Sequence, residues 1–295
     1  MKDILHFPWT NSSGKTVELR LHWWVNKYGM QVPPRGYVWI VHGIGEHAGR
    51  YDEIATFLTV LGFDVLAPDH PGHGLNRSSG VSTDLVSYKK MRSALKAALD
   101  FWRFHGPRSK AGAASKPWYL LGHSLGGLLA LSWVLKARQE GFEGDFAQAI
   151  FVSAPPLKLR MPVPDWKKVL AEKLATLRPH FEIGSGIRVE DLSVEAANLG
   201  AFREDVLNHP NASPELFLSL QEAAEEILAH PADVEIPLAL AVGDDDPVVD
   251  PEAMDQYYKN LGTHKALYKF PHNKHEVLND VSKRDVYRAV AEWFL

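Results

Sequence analysis

Residues 118–135, WYLLGHSLGGLLALSWVL, contain no formally charged side chain. About 18 apolar residues in a row are enough to cross a bilayer. The same stretch also suits a buried strand, an abrupt turn and a buried helix. Gly122, Gly126 and Gly127 would each weaken a lipid-spanning helix, and His123 would carry a polar ring to the bilayer centre. In a soluble α/β domain those small residues fall where a strand must turn directly into a helix. That reading requires strands and helices to alternate on both sides of the stretch.

They do. VELRLHWWV (17–25) alternates apolar and polar residues, as a half-exposed antiparallel strand does. GYVWIVHG (36–43) is almost wholly apolar, as a strand covered on both faces would be. Ile54, Leu58 and Leu61 have helical spacing, and Gly62 ends that helix. FDVLAPD (63–69) is a second buried-type strand, and the Gly, Pro and Ser of 69–80 make a loop. Asp84 is the expected N-cap of a long helix whose face carries Leu85, Tyr88, Met91, Leu95, Leu99 and Trp102. FAQAIFVSA (146–154), PLALAVG (237–243) and ALYKF (266–270) are further strands, with helices at 251–261 and 283–295. Such alternation means βαβ units and a mostly parallel sheet. It stops between Pro155 and about Pro231, where the chain is helical and rich in proline. The expected organisation is an α/β core of residues 1–154 and 232–295 with a helical insertion at 155–231.

Composition narrows the function. The net charge is −4, which gives no global electrostatic case for nucleic acid. The absence of cysteine excludes a disulfide framework, a thiolate nucleophile and a Cys-ligated metal. The first fifteen residues show no secretory apolar region, so a soluble cytoplasmic protein is expected.

GHSLG (122–126) matches G-x-S-x-G. A serine on a tight strand-to-helix turn presents its hydroxyl, and glycine on each side leaves room for the neighbouring strand and helix. The hydroxyl needs a base, and the base needs an orienting acid. Both belong on loops after later strands, in the order Ser, acid, His. GDDDPVVD offers Asp244, Asp245, Asp246 and Asp250; PHNKHEVLND offers His272 and His275. The acidic loop lacks the Gly and distant Glu of a calcium loop, and His275-Glu276 lacks the second His of a zinc motif. For a developing oxyanion, the backbone N–H of Leu125 and that of Ile44 in HGIGEHAGRY (42–51) are the candidate donors. A rival reading takes Gly43, Gly45 and Gly49 as a dinucleotide loop, with Asp69 as the ribose-binding acid of a nicotinamide-dependent oxidoreductase. The glycine spacing is one residue too long for it, and it leaves the Ser, Asp and His loops without a role.

HGIGEHAGRY, PDHPGHGLNRSSG, GHSLGG, GDDDPVVD and HNKHEVLND, met in this order, together resemble the α/β-hydrolase superfamily. Within it they are most similar to the serine hydrolases of the monoacylglycerol lipase and lysophospholipase group. The resemblance implies an α/β-hydrolase fold with a helical cap, or lid, at 155–231 and no cofactor or metal. It selects Asp246 as the acid, from a G-x-x-D pattern, and His275 as the base, because a Glu follows it. It keeps Ile44 and Leu125 as oxyanion donors, and it puts Glu46, Arg50 and His123 at the polar end of the substrate pocket. The implied substrate is a single-chain lipid ester such as a monoacylglycerol. Lysophospholipids, small carboxylic esters, thioesters, amides and acyl transfer remain as alternatives on the same triad, as does a non-catalytic binding protein. Two departures stand out: Ile44 where the family often has a smaller residue, and Leu-Asn after HG in place of x-Ser.

Within the insertion, Trp166, Val169, Leu170, Leu174 and Leu177 form one helical face, with Lys167, Lys168, Lys173 and Arg178 beside it. One expectation is an ordinary amphipathic helix packed on the core domain; the other is a lid whose apolar face turns inward to an acyl chain. Its basic face would turn outward, for peripheral contact with anionic lipid. The sequence says nothing of the oligomeric state.

Overall fold

The computed structural model describes residues 1–11, 14–77, 87–109, 116–139, 147–161, 164–177 and 181–295. The chain opens with strands β1 (Lys2–Thr10) and β2 (Thr16–Trp24), followed by β3 (Tyr37–Val41), helix α1 (Asp52–Val60), β4 (Asp64–Pro68) and α2 (Tyr88–His105). Next come β5 (Trp118–His123), α3 (Leu125–Gln139) and β6 (Ile150–Ser153). Helix α4 (Asp165–Leu177), β7 (Ile183–Gly184), α5 (Ala196–Glu204), β8 (Asn211–Ala212) and α6 (Pro214–Ala229) precede the last four elements. These are β9 (Leu238–Gly243), α7 (Pro251–Asn260), β10 (Lys265–Phe270) and α8 (Lys283–Phe294).

Eight strands form one sheet in the order β1-β2-β4-β3-β5-β6-β9-β10. The hairpin β1–β2 and the pair β2–β4 are antiparallel, and all other pairs are parallel. The two faces divide β3 by alternation: Tyr37, Trp39 and Val41 pack toward α2, α3 and α7, while Val38 and Ile40 pack toward α1 and α8. Every residue of β3 and β4 is buried, which is why these strands read as continuous apolar runs.

The sequence reading missed β1. Phe7 and Trp9 alternate into the core there, but Pro8 between them argues against a strand. The strand tolerates Pro8 because β1 lies at the edge of the sheet. The long helix α2 is capped by Ser87, whose hydroxyl accepts from the Lys90 N–H. Asp84 and Leu85 lie outside the described residues.

Between β6 and β9 the structure is mainly helical, with β7 and β8 forming a short antiparallel ribbon. Helix α6 sets Leu216, Ala223, Ala224 and Ile227 into the same core cluster as Leu128 and Leu131 of α3. The expected orientation of α4 is overturned. Its apolar residues face solvent: Trp166 is 64% exposed and Leu177 76%, with Val169 and Leu170 also exposed. Ala171 is buried and Leu174 and Ala175 are half-buried, on the side where α4 packs on α6. Ala171 allows close approach, so the small side of the helix, not the bulky one, meets the protein. Among the described residues, no helix is long and apolar enough to cross a membrane.

Candidate active site

Parallel strands deliver their following loops to one edge of the sheet. The loops after β3, β5, β9 and β10 carry Ile44, Ser124, Asp246 and His275 to that edge. Ser124 lies at the junction of β5 and α3 with φ of 50°, a left-handed conformation that non-glycine residues rarely adopt. The turn is held by the Ser124 N–H donating to the Ser153 carbonyl (2.8 Å) and the Leu128 N–H donating to the Ser124 carbonyl (3.1 Å). A Cβ on Gly126 would lie 1.9 Å from the Val41 carbonyl oxygen, so α3 reaches β3 only through a bare backbone. Gly126→Ala is therefore expected to cost about 3 kcal/mol or more, read by urea unfolding. A loss below about 0.5 kcal/mol, the scale of a neutral surface change, would mean that the neighbouring strand yields.

Ser124 Oγ stands 2.9 Å from His275 Nε2, and His275 Nδ1 stands 2.9 Å from Asp246 Oδ2. All three residues are buried. The other carboxylate oxygen of Asp246 accepts from the backbone N–H groups of Val248 (2.7 Å) and Val249 (3.1 Å). Burial works against the charged imidazole of His275. The Asp246 carboxylate and its hydrogen bond, followed by Glu276 and Glu46, outweigh that, and the pKa stands above the ordinary 6.5.

The remaining candidates of the two loops go elsewhere. Asp244 and Asp245 are exposed, and His272 pairs loosely with Asp245 at 3.7 Å. Asp250 caps α7 by accepting from the Glu252 N–H. Asp69, the ribose acid of the rejected reading, is fully buried and accepts from the N–H groups of Ala48 (2.8 Å) and Leu75 (2.9 Å). With no free carboxylate edge it has nothing to offer a ribose. It braces the loop after β3, as do His42 and His70. His42 Nε2 accepts from the His70 N–H at 3.0 Å, and burial pushes the His70 pKa down to about 4.

A cleft opens over Ser124. Ile44, Glu46, His123, His275 and Glu276 form its floor, and Ile187, Val189, Leu192, Phe202 and His209 close it from above. Leu125 starts α3, so its N–H is one of those a helix leaves without an internal partner. Burial pushes the His123 pKa down to about 4 against the pull of Glu46, which keeps that ring neutral near neutral pH. Glu46 and His123 line the cleft, whereas Arg50 is not among the residues that do. Its guanidinium instead bonds Glu46 (2.7 Å) and both oxygens of Glu276 (2.6 and 2.7 Å). The four-residue spacing of Glu46 and Arg50 suits an ion pair, but nothing in the sequence links Arg50 to Glu276, 226 positions away. Asp280 was also missed. It is fully buried and ties the His275 loop to the segment above by accepting from Lys274 N, Ser193 Oγ and Val194 N.

The family described as serine aminopeptidase, S33 (Hydrolase_4) matches this chain over residues 32–282. The chain belongs to this family of α/β-hydrolases. Its relatives in the family include a monoacylglycerol lipase of Mycolicibacterium smegmatis, 28% identical over 276 residues, with 89% of each chain covered. An uncharacterized abhydrolase domain-containing protein of Dictyostelium discoideum is 27% identical over 96% of this chain, which spans only 28% of that longer protein. Among solved structures, a monoacylglycerol lipase of Paleococcus ferrophilus superimposes with a TM-score of 0.79 at 26% identity. That match covers 94% of this chain and 98% of the other. The mostly parallel sheet with helices on both faces is that of the family fold.

Proposed function

We propose that this hydrolase cleaves the ester bond of single-chain lipids such as monoacylglycerols, through a Ser124–His275–Asp246 triad and an acyl-enzyme. The observation that carries the proposal is the continuous chain of 2.9 Å contacts from Ser124 Oγ through His275 to Asp246, set under an apolar roof. Ser124 Oγ attacks the carbonyl carbon while His275 Nε2 takes its proton. The N–H groups of Ile44 and Leu125 hold the oxyanion, a contact worth on the order of 3 kcal/mol each. The intermediate expels the alcohol, which leaves with the proton from His275. Water then attacks the acyl-enzyme, gives its proton to the same nitrogen, and frees the acid. Similarity to monoacylglycerol lipases in sequence and in structure supports the substrate class.

Segment 155–231 is assigned as the cap. The cavity beneath it has a volume of about 50 Å³, small beside the roughly 300–1,000 Å³ of pockets that enclose drug-sized ligands. The exposed Trp166, Val169, Leu170 and Leu177 face of α4 supports peripheral contact with a lipid surface, made by the apolar rather than the basic side of the helix.

Initial rates on monoacylglycerols of increasing chain length test this reading, with the long members presented in detergent and in anionic vesicles. The rate is expected to rise to medium chains, and long chains are expected to turn over faster from vesicles than from detergent. Turnover confined to the shortest esters would reassign the enzyme to small carboxylic esters.

A further inference from the structure

We propose that Arg50 is a positioning residue, a clamp that fastens the loop carrying the oxyanion donor to the loop carrying the catalytic base and balances the charge around that base. The inference rests on the triad reading above.

On the first loop, Glu46 Oε1 accepts from the Gly43 N–H (2.5 Å) and from the Tyr51 hydroxyl (2.7 Å). Glu46 therefore fixes the backbone one residue before Ile44. Its other oxygen accepts from Arg50 Nη1 at 2.7 Å. On the second loop, Glu276 directly follows His275 and receives the Arg50 fork through both oxygens, at 2.6 and 2.7 Å. Such a two-pronged grip needs a planar guanidinium, and a lysine cannot reproduce it. The cap segment joins the same node. Asn198 Nδ2 donates to Glu276 Oε2 (3.1 Å), and the Phe202 ring lies 4.7 Å from the guanidinium carbon. Oxyanion loop, base loop and cleft wall thus share one buried cation.

The electrostatics follow from the count of charges. His275 faces Asp246 from the loop after β9, Glu276 beside it, and Glu46 with Arg50 from the loop after β3. His123 faces it from the end of β5, with ring centroids 5.2 Å apart, and His209 is the ionisable side chain that the cap brings to the cleft. Arg50 offsets the two glutamates. Burial disfavours a charged Glu276, yet the Arg50 charge and hydrogen bonds hold its pKa at about 2. Without Arg50, burial and the neighbouring Glu46 favour a neutral Glu276, so a bound proton takes the place of the guanidinium charge and the protonated imidazole keeps about the same support. Without the Glu276 charge, that form loses support.

Removing Arg50 and removing the Glu276 charge should therefore act differently on the acid limb of the kcat/KM profile. Wild type is expected to lose activity as pH falls through a value above 6.5, because the protonated imidazole cannot accept the Ser124 proton. Glu276→Gln should move that limb down by about one pH unit, and Arg50→Met should leave it within about half a unit of wild type. On the plateau, Arg50→Met should lower kcat by about 100-fold with KM little changed, the scale of a misplaced catalytic group. Arg50→Lys keeps the charge and should leave the limb near its wild-type position while recovering part of kcat. Histidine NMR titration of His275 in Ser124→Ala, with and without Glu276→Gln, reads the same shift without turnover. If Ser124→Ala kept full activity the triad reading would fall, and the NMR titration would still judge the clamp. A limb that stays fixed in Glu276→Gln, or a kcat that Arg50→Met leaves unchanged, would overturn the proposal. Should Arg50→Met not fold, Glu276→Gln and Arg50→Lys carry the decision.

Discussion

Ser124→Ala is expected to lower kcat/KM on a monoacylglycerol by about 10⁶-fold, with thermal unfolding close to wild type. The Oγ is the atom aligned with His275 Nε2, at 2.9 Å, and alanine offers nothing in its place. The loss should stop short of zero catalysis. The Ile44 and Leu125 donors still stabilise an oxyanion formed by attack of water, which in comparable sites leaves roughly 10³–10⁴-fold over the uncatalysed rate. Backbone strain at the turn is common to both residues, since alanine at φ of 50° carries the same Cβ as serine. Retention of more than a tenth of wild-type activity would remove Ser124 as the nucleophile.

Asp246→Asn should cost about 10⁴-fold in kcat while leaving KM nearly unchanged. The reason lies in what Asp246 already holds. One oxygen accepts from the N–H groups of Val248 and Val249, and an asparagine must keep its carbonyl there to satisfy both. Its NH₂ then faces His275 Nδ1, where the carboxylate now accepts a proton. The imidazole is driven to the tautomer with hydrogen on Nε2, which cannot take the Ser124 proton. Steady-state kinetics of this variant beside Asp244→Asn and Asp245→Asn would check it. The two exposed neighbours should lie within about twofold of wild type, as surface changes distant from the chemistry do. An equal loss in all three would mean that the loop acts through its total charge.

The strand, turn and helix around Ser124 were legible because glycine spacing and apolar runs are local signals. Spacing alone left Asp244, Asp245, Asp246 and Asp250 open, for all four sit within seven residues of one turn. The family resemblance selects Asp246 through its G-x-x-D pattern, and the fold supplies the physical reason by burying Asp246 and spending Asp250 on a helix cap. The Arg50–Glu276 bond was invisible for the opposite reason, a separation too long for any spacing rule. Helix α4 marks a further limit. Its pattern announces an apolar face but not whether that face meets protein or solvent, and the small Ala171 that decides it carries little weight in a periodicity. The hairpin strand β1 was hidden by Pro8, which an edge tolerates and a central strand would not.

The wall above Ser124 is riveted to the loops that carry Ile44 and His275. The His209 N–H donates to the Gly45 carbonyl (2.8 Å), and a side chain on Gly45 would strike the His209 carbonyl at 2.2 Å. His47 Nε2 donates to Asp205 (2.7 Å), and the Glu276 N–H donates to the Leu192 carbonyl (2.8 Å). A guest bulky enough to pry residues 192–210 upward would pull the oxyanion loop and the histidine loop out of register with Ser124. It would then meet a disarmed enzyme. On the proposed triad, the contacts that align the catalytic loops would also serve as a size gauge, one that rejects the oversized by switching off rather than by shutting them out.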